Sequence, residues 1–218
     1  MKKLLFSTVI FISLISCTQK QVRIACVGDS ITEGAGIAIQ STDAYPAKLN
    51  QILGSNTKVL NCGKSATTLQ KEGDFSYWNT KEFSNLFAFS PDIVIIKLGT
   101  NDTKPQNWNR ERFEKDYQSM IDTIQSMPNH PKVLLCIPVP VFQSEWGIND
   151  STLVEGVIPT IQLLARNNQL ETIDLNTAMK DKEKYFPDHI HPNEEGARII
   201  ATLIAEKIAK LNLISKND

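Results

Sequence analysis

A serine hydroxyl attacks an acyl group at neutral pH when an imidazole takes its proton and a carboxylate orients that imidazole. The chain has three histidines, His130, His189 and His191, so few such sets are available. His130 sits in Pro128-Asn129-His130-Pro131, between an amphipathic stretch and an apolar one. His189 and His191 share the run Asp188-His189-Ile190-His191-Pro192. Alternate residues of an extended loop share a side, so one of these two histidines is enough to enter a site. Asp188 precedes His191 by three residues, and a tight turn brings its carboxylate to Nδ1 and leaves Nε2 for a hydroxyl. Ser30, in Gly28-Asp29-Ser30, is the hydroxyl at a strand-to-turn junction. Acyl transfer also builds an oxyanion, and fixed hydrogen-bond donors aimed at it supply much of the catalysis. The candidate donors are the N–H of Ser30, the N–H of Gly63 and the side-chain amide of Asn101.

Such residues, far apart in sequence, need a frame that gathers them. From residue 22 onward, short β-rich runs alternate with longer amphipathic ones. Val22 to Val27, Thr57 to Asn61, Asp92 to Leu98, Lys132 to Ile137 and Thr172 to Leu175 read as strands. The successive apolar residues Ile93-Val94-Ile95-Ile96 mark a strand buried on both faces, as in a parallel sheet covered by helices. Tyr45 to Leu53 has helical spacing and stops at Gly54. Phe113, Tyr117, Met120, Ile121 and Ile124 mark one face of a second helix. Thr152 to Arg166 is a third, with Val154, Val157, Ile161, Leu164 and Ala165 on its core side. Asn193 to Leu211 closes the chain as a helix capped by Asn193. The pattern predicts an α/β fold of three layers, a five-stranded parallel sheet between helices. Ligands of such sheets bind beyond the carboxyl ends of the strands. Ser30, Gly63, Asn101 and the Asp188–His191 run all follow strands, whereas His130 precedes one and falls on the opposite edge.

Composition bounds the partners. The 218 residues suit one domain, and a net charge of −1 gives no electrostatic case for nucleic acid or an anionic membrane surface. Lys2 and Lys3 followed by the apolar run Leu4 to Ile15 read as a signal peptide, residues 1–16, too short to span a bilayer. Leu14-Ile15-Ser16-Cys17 resembles a bacterial lipobox. Cys17 is therefore the expected lipidation site, residues 17–21 a tether and 22–218 the domain. That makes the expected protein an exported lipoprotein, periplasmic or at the cell surface. Cys26, Cys62 and Cys136 lie in strand-like contexts without zinc spacing and are expected to be buried free thiols.

Gly28-Asp29-Ser30-Ile31-Thr32, Gly63 after Asn61, Gly99-Thr100-Asn101-Asp102 and Asp188-His189-Ile190-His191 resemble, in order and spacing, the four principal blocks of the SGNH (GDSL-type) hydrolases. The resemblance covers residues 22–210. It implies a flavodoxin-like three-layer fold and ester hydrolysis without a metal or cofactor. It implies Ser30 as nucleophile, His191 as base, Asp188 as its orienter, and Ser30, Gly63 and Asn101 as oxyanion donors. One departure stands out: the second block often carries another glycine three residues after the first, where this chain has Ala66. The stretch Leu98 to Trp108, with the export signal, looks like bacterial carbohydrate deacetylases, including sialate O-acetylesterases and xylan-type acetylesterases. An acetyl group needs only a small pocket, and Trp78, Trp108 and Trp146, in loops after strands, are candidate sugar platforms. The rival readings are a lysophospholipase or thioesterase, which needs a long apolar groove, and a non-catalytic lipid-anchored glycan binder.

Overall fold

The computed structural model describes residues 21–214. The expected signal peptide, residues 1–16, and the candidate lipidation site Cys17 lie outside them. The strands are β1 (Val22–Gly28), β2 (Thr57–Gly63), β3 (Ile93–Lys97), β4 (Lys132–Ile137) and β5 (Glu171–Asp174). They form one parallel sheet in the order β2-β1-β3-β4-β5, with Gly28 of β1 beside both Gly63 of β2 and Lys97 of β3. The helices are α1 (Ser30–Glu33), α2 (Gln40–Asp43), α3 (Tyr45–Leu53), α4 (Lys81–Phe89), α5 (Arg110–Gln125), α6 (Asp150–Thr152), α7 (Ile158–Asn167), α8 (Leu175–Met179) and α9 (Glu194–Lys210). This is the three-layer α/β fold with the flavodoxin-like strand order that the resemblance implied.

Strand periodicity divides the core in two. Ala25, Val27, Val94, Ile96, Leu135 and Ile137 face α4, α5 and α7. Ile24, Cys26, Ile93, Ile95, Leu134 and Cys136 face α3 and α9. Because each central strand is buried on both faces, its side chains are apolar at successive positions. Lys97, at the end of β3, is a charged exception that is fully buried. Cys26, Cys62 and Cys136 are buried and unpaired. Burial pushes the Cys136 thiol up to about 12, so it stays protonated.

The helix expected over Thr152 to Arg166 differs in phase. Residues 150–167 are continuously helical, but Leu153–Val157 form a π-turn between α6 and α7. A π-turn adds a residue to one turn and rotates the face ahead of it. Leu153 is consequently buried and Val154, expected in the core, is 48% exposed. The cause lies at Gly156, where an added Cβ would fall 2.3 Å from Trp108 Cζ2. The indole packs directly on that backbone.

Candidate active site

Ser30 opens α1 immediately after β1. Asp29 caps that turn: its Oδ1 accepts the Ile31 N–H at 3.1 Å and its carbonyl accepts from Thr32 and Glu33. From the other end of the chain, Pro187 to Asn193 connects a short 3-10 turn, Glu183–Tyr185, to α9. His189 adopts a left-handed backbone (φ 65°) and so reverses the chain between Asp188 and His191. Asp188 Oδ1 then accepts the N–H groups of Ile190 (3.0 Å) and His191 (2.6 Å). Its Oδ2 lies 2.7 Å from His191 Nδ1, and His191 Nε2 lies 2.8 Å from Ser30 Oγ. Burial alone raises the Asp188 carboxyl. The His191 N–H and ring and the Ile190 N–H together outweigh it and hold the group below the usual carboxylate range. An ionised Asp188 favours the tautomer with Nδ1 protonated, so Nε2 faces the hydroxyl as an acceptor.

His189 and His130 are not part of this set. His189 Nδ1 lies 3.3 Å from Glu183 Oε1, and His130 sits between α5 and β4 with Nδ1 3.2 Å from the Gln125 carbonyl.

Beside Ser30 and His191 a cavity of about 220 Å³ is lined by Ala35, Ser65, Ala66, Asn101, Lys104, Trp146 and Ile148. Asn101 arrives as expected. One N–H of its amide donates to the Thr67 carbonyl (3.1 Å), which fixes the amide and leaves its other N–H. Gly63 does not arrive. Its N–H donates to Asn61 Oδ1 at 2.8 Å, and its Cα is pressed against α1, where an added Cβ would lie 2.1 Å from Glu33 N. Glycine is needed there for close approach of β2 to α1. The residues of the second block that line the cavity are Ser65 and Ala66, the latter in a left-handed conformation (φ 64°). Its neighbour Ser65 is held by Glu33, whose Oε2 accepts both the Ser65 N–H (2.7 Å) and, through a short contact, its hydroxyl. The visible signal for Ala66 was that it stands where the family often carries a glycine.

Of the three tryptophans only Trp146 reaches the cavity. It is 60% exposed, its ring centroid is 5.6 Å from that of His191, and its φ of 51° turns the indole out of its loop. Trp78 instead donates from Nε1 to the Leu69 carbonyl (2.8 Å) and packs on Phe83, while Trp108 packs on Phe113 and Gly156. Both are structural braces, because the loops that carry them fold back over the first core. Asp102, buried below Asn101, accepts the N–H groups of Leu69 (2.9 Å) and Gln70 (2.9 Å). Burial outweighs these bonds and pushes its carboxyl up to about 6. Among the described residues, no three His, Cys, Asp or Glu side chains converge as metal ligands would.

Residues 26–199 match the GDSL-like lipase/acylhydrolase family. The chain belongs to that family. It is 41% identical over 206 residues to an acetylxylan esterase of Xylanibacter ruminicola; the match covers 86% of this chain but 43% of that protein, so the chain spans less than half of its relative's length. Among solved structures of this SGNH fold, the aryl esterase of M. smegmatis superposes with a TM-score of 0.72 at 22% identity, covering 87% of this chain and 99% of that one. A carbohydrate acetylesterase of Sinorhizobium meliloti gives a TM-score of 0.69 at 21% identity over 88% and 100% of the two chains. At these identities the likeness speaks for the fold.

Proposed function

We propose that the protein is a serine esterase that removes O-acetyl groups from carbohydrate through an acyl-enzyme. The observation that carries this reading is the continuous hydrogen-bonded line from Asp188 through His191 to Ser30, ending at a small cavity. Ser30 Oγ attacks the acetyl carbonyl carbon while His191 Nε2 takes its proton. The carbonyl oxygen becomes an oxyanion, met by the N–H groups of Ser30 and Ala66 and the Asn101 amide, with Ala66 taking the part expected of Gly63. As the intermediate collapses, the C–O bond to the sugar breaks and His191 returns its proton to the departing hydroxyl. Water, deprotonated by His191, then attacks the acetyl-serine. Acetate leaves and Ser30 regains its proton.

The acyl size follows from the walls. Ala35, Ala66 and Ile148 help to bound about 220 Å³, room for an acetyl group beside part of a sugar. This favours a deacetylase over a lysophospholipase or thioesterase. Trp146 offers the flat apolar face on which a pyranose stacks. The 41% identical acetylxylan esterase supports an acetylated plant polysaccharide as substrate. A glycan binder without catalysis has no use for a hydroxyl and imidazole 2.8 Å apart. We further propose export and anchoring through a lipid on Cys17, at the periplasmic face or the cell surface.

A labelled fluorophosphonate is expected to modify Ser30 alone, and Ser30→Ala and His191→Ala each to lower kcat by about 10⁴-fold or more, with His189→Ala near wild type. Hydrolysis of p-nitrophenyl acetate should exceed that of the octanoate, and Trp146→Ala should raise KM for acetylated xylan while sparing p-nitrophenyl acetate. Full activity in Ser30→Ala would refute the mechanism. Faster octanoate hydrolysis would refute the acyl assignment.

A further inference from the structure

Beneath the nucleophile lies a charge pair that the proposed chemistry does not use. Lys97 and Asp29 are both fully buried, with Lys97 Nζ 2.9 and 3.1 Å from the two Asp29 carboxylate oxygens. The third N–H of the ammonium donates to Thr100 Oγ1 at 3.3 Å. All three of its donors are therefore engaged. Asp29 immediately precedes Ser30, and Thr100 immediately precedes Asn101. One buried cation thus joins the turn that carries the hydroxyl to the turn that carries the amide, across the parallel pair β1 and β3.

Burying two charges is costly, and a well-packed apolar pair of similar volume often stabilises a fold as much or more. Stability alone is a poor account of a lysine in an otherwise apolar strand. An ammonium does what a neutral side chain of similar length does not: its three donors grip a carboxylate with two and still reach a hydroxyl on another loop. Other polar groups on this face serve different partners, Tyr45 Oη being 3.1 Å from Thr32 Oγ1. Cys26 and Cys136, also on this face, are unpaired thiols.

We infer that Lys97 is a positioning residue for ester hydrolysis: its ammonium fixes the nucleophile turn against the Asn101 turn and neutralises Asp29 next to the developing oxyanion. This rests on the reading of Ser30 as nucleophile. A misplacement of about 1 Å in such a site costs on the order of 10²-fold in rate.

The test uses the whole chain, with Lys97→Met and the double variant Asp29→Asn/Lys97→Met, near-isosteric changes. Lys97→Met is expected to lower kcat for p-nitrophenyl acetate by about 10²-fold with KM nearly unchanged. The double variant strands no charge and folds even if the single one does not. Its kcat should stay low with KM nearly unchanged, since the tie to Thr100 is still missing. Amides of residues 30–33 and 101–103 should exchange hydrogen faster in the double variant, a readout that needs no activity. Wild-type kcat and wild-type exchange in the folded double variant would overturn the proposal. Failure of the fluorophosphonate to label Ser30 would instead strike the serine mechanism, leaving exchange to judge the tie.

Discussion

Asp188 performs two tasks on one carboxylate. Oδ1 closes the turn through two backbone N–H groups, and Oδ2 holds the imidazole. The left-handed His189 makes this possible, so that residue serves the site through its backbone while its ring points to Glu183. The second block shows the same division between main chain and side chain. On the proposed mechanism Ala66 contributes only its N–H at the cavity, so Ala66→Gly, which adopts φ 64° freely, should keep kcat within a few-fold. Ala66→Val puts a β-branched side chain in a conformation it resists and should lose most activity. Gly63→Ala should lower the thermal midpoint, because its Cβ has no room against α1. Comparing kcat and unfolding for the three variants separates the donor from the packing glycine. A Gly63→Ala protein of wild-type stability would contradict the close approach of β2 to α1.

The elements set where these residues meet, and Asp102 shows how a loop is secured from below. Its carboxylate takes the Leu69 and Gln70 N–H groups, pinning the loop that includes Thr67, the acceptor of the Asn101 amide. A folded-state value of about 6 against an ordinary 3.8 means that the native protein binds this proton more tightly than the unfolded chain does. The associated stability, on the order of 3 kcal/mol, is fully present below about pH 3.8 and is lost as pH rises through about 6. Asp188, held below its ordinary range, has the opposite sign: its contribution is present above that range and is lost on acidification through its folded value. Urea unfolding between pH 4 and 7 should therefore show a component of stability that falls as pH rises, and Asp102→Asn should remove that slope. An unchanged slope would reject the assignment. The helical segment 150–167 carries a different lesson. Its periodicity named the right element, but the π-turn that seats Trp108 on Gly156 is a tertiary demand, and it turned Val154 outward against the pattern.

Across the molecule, the strands and main helices were legible because apolar periodicity is a local property: Tyr45–Leu53 and Lys132–Ile137 end where the pattern ends. Asp188, His191, Ser30 and Asn101 were legible because topology sends all segments after strands to one rim. Gly63 and Ala66 were not separable, since three residues in a loop do not reveal which N–H turns inward. Nor were the tryptophans, because an indole bracing a loop and one facing solvent read alike in sequence. Lys97 left one trace, a lone charge closing a strand otherwise apolar on both faces, and its partners were 68 residues back and three ahead. At this scale the anchoring proposal is also tested: Cys17→Ser should move the protein from the membrane fraction to the soluble one, and persistence in the membrane would count against it.

Ser30 and His191 lie 161 residues apart, and the fifth strand ends at Asp174, before the imidazole is reached. A growing polypeptide can thus assemble every strand while still lacking its proton acceptor. On the serine mechanism proposed above, hydrolysis then waits for the segment that carries Asp188 and His191. A fragment ending before residue 191 would hold the hydroxyl without its base and should be inactive, so turnover would report that this late segment has joined the sheet.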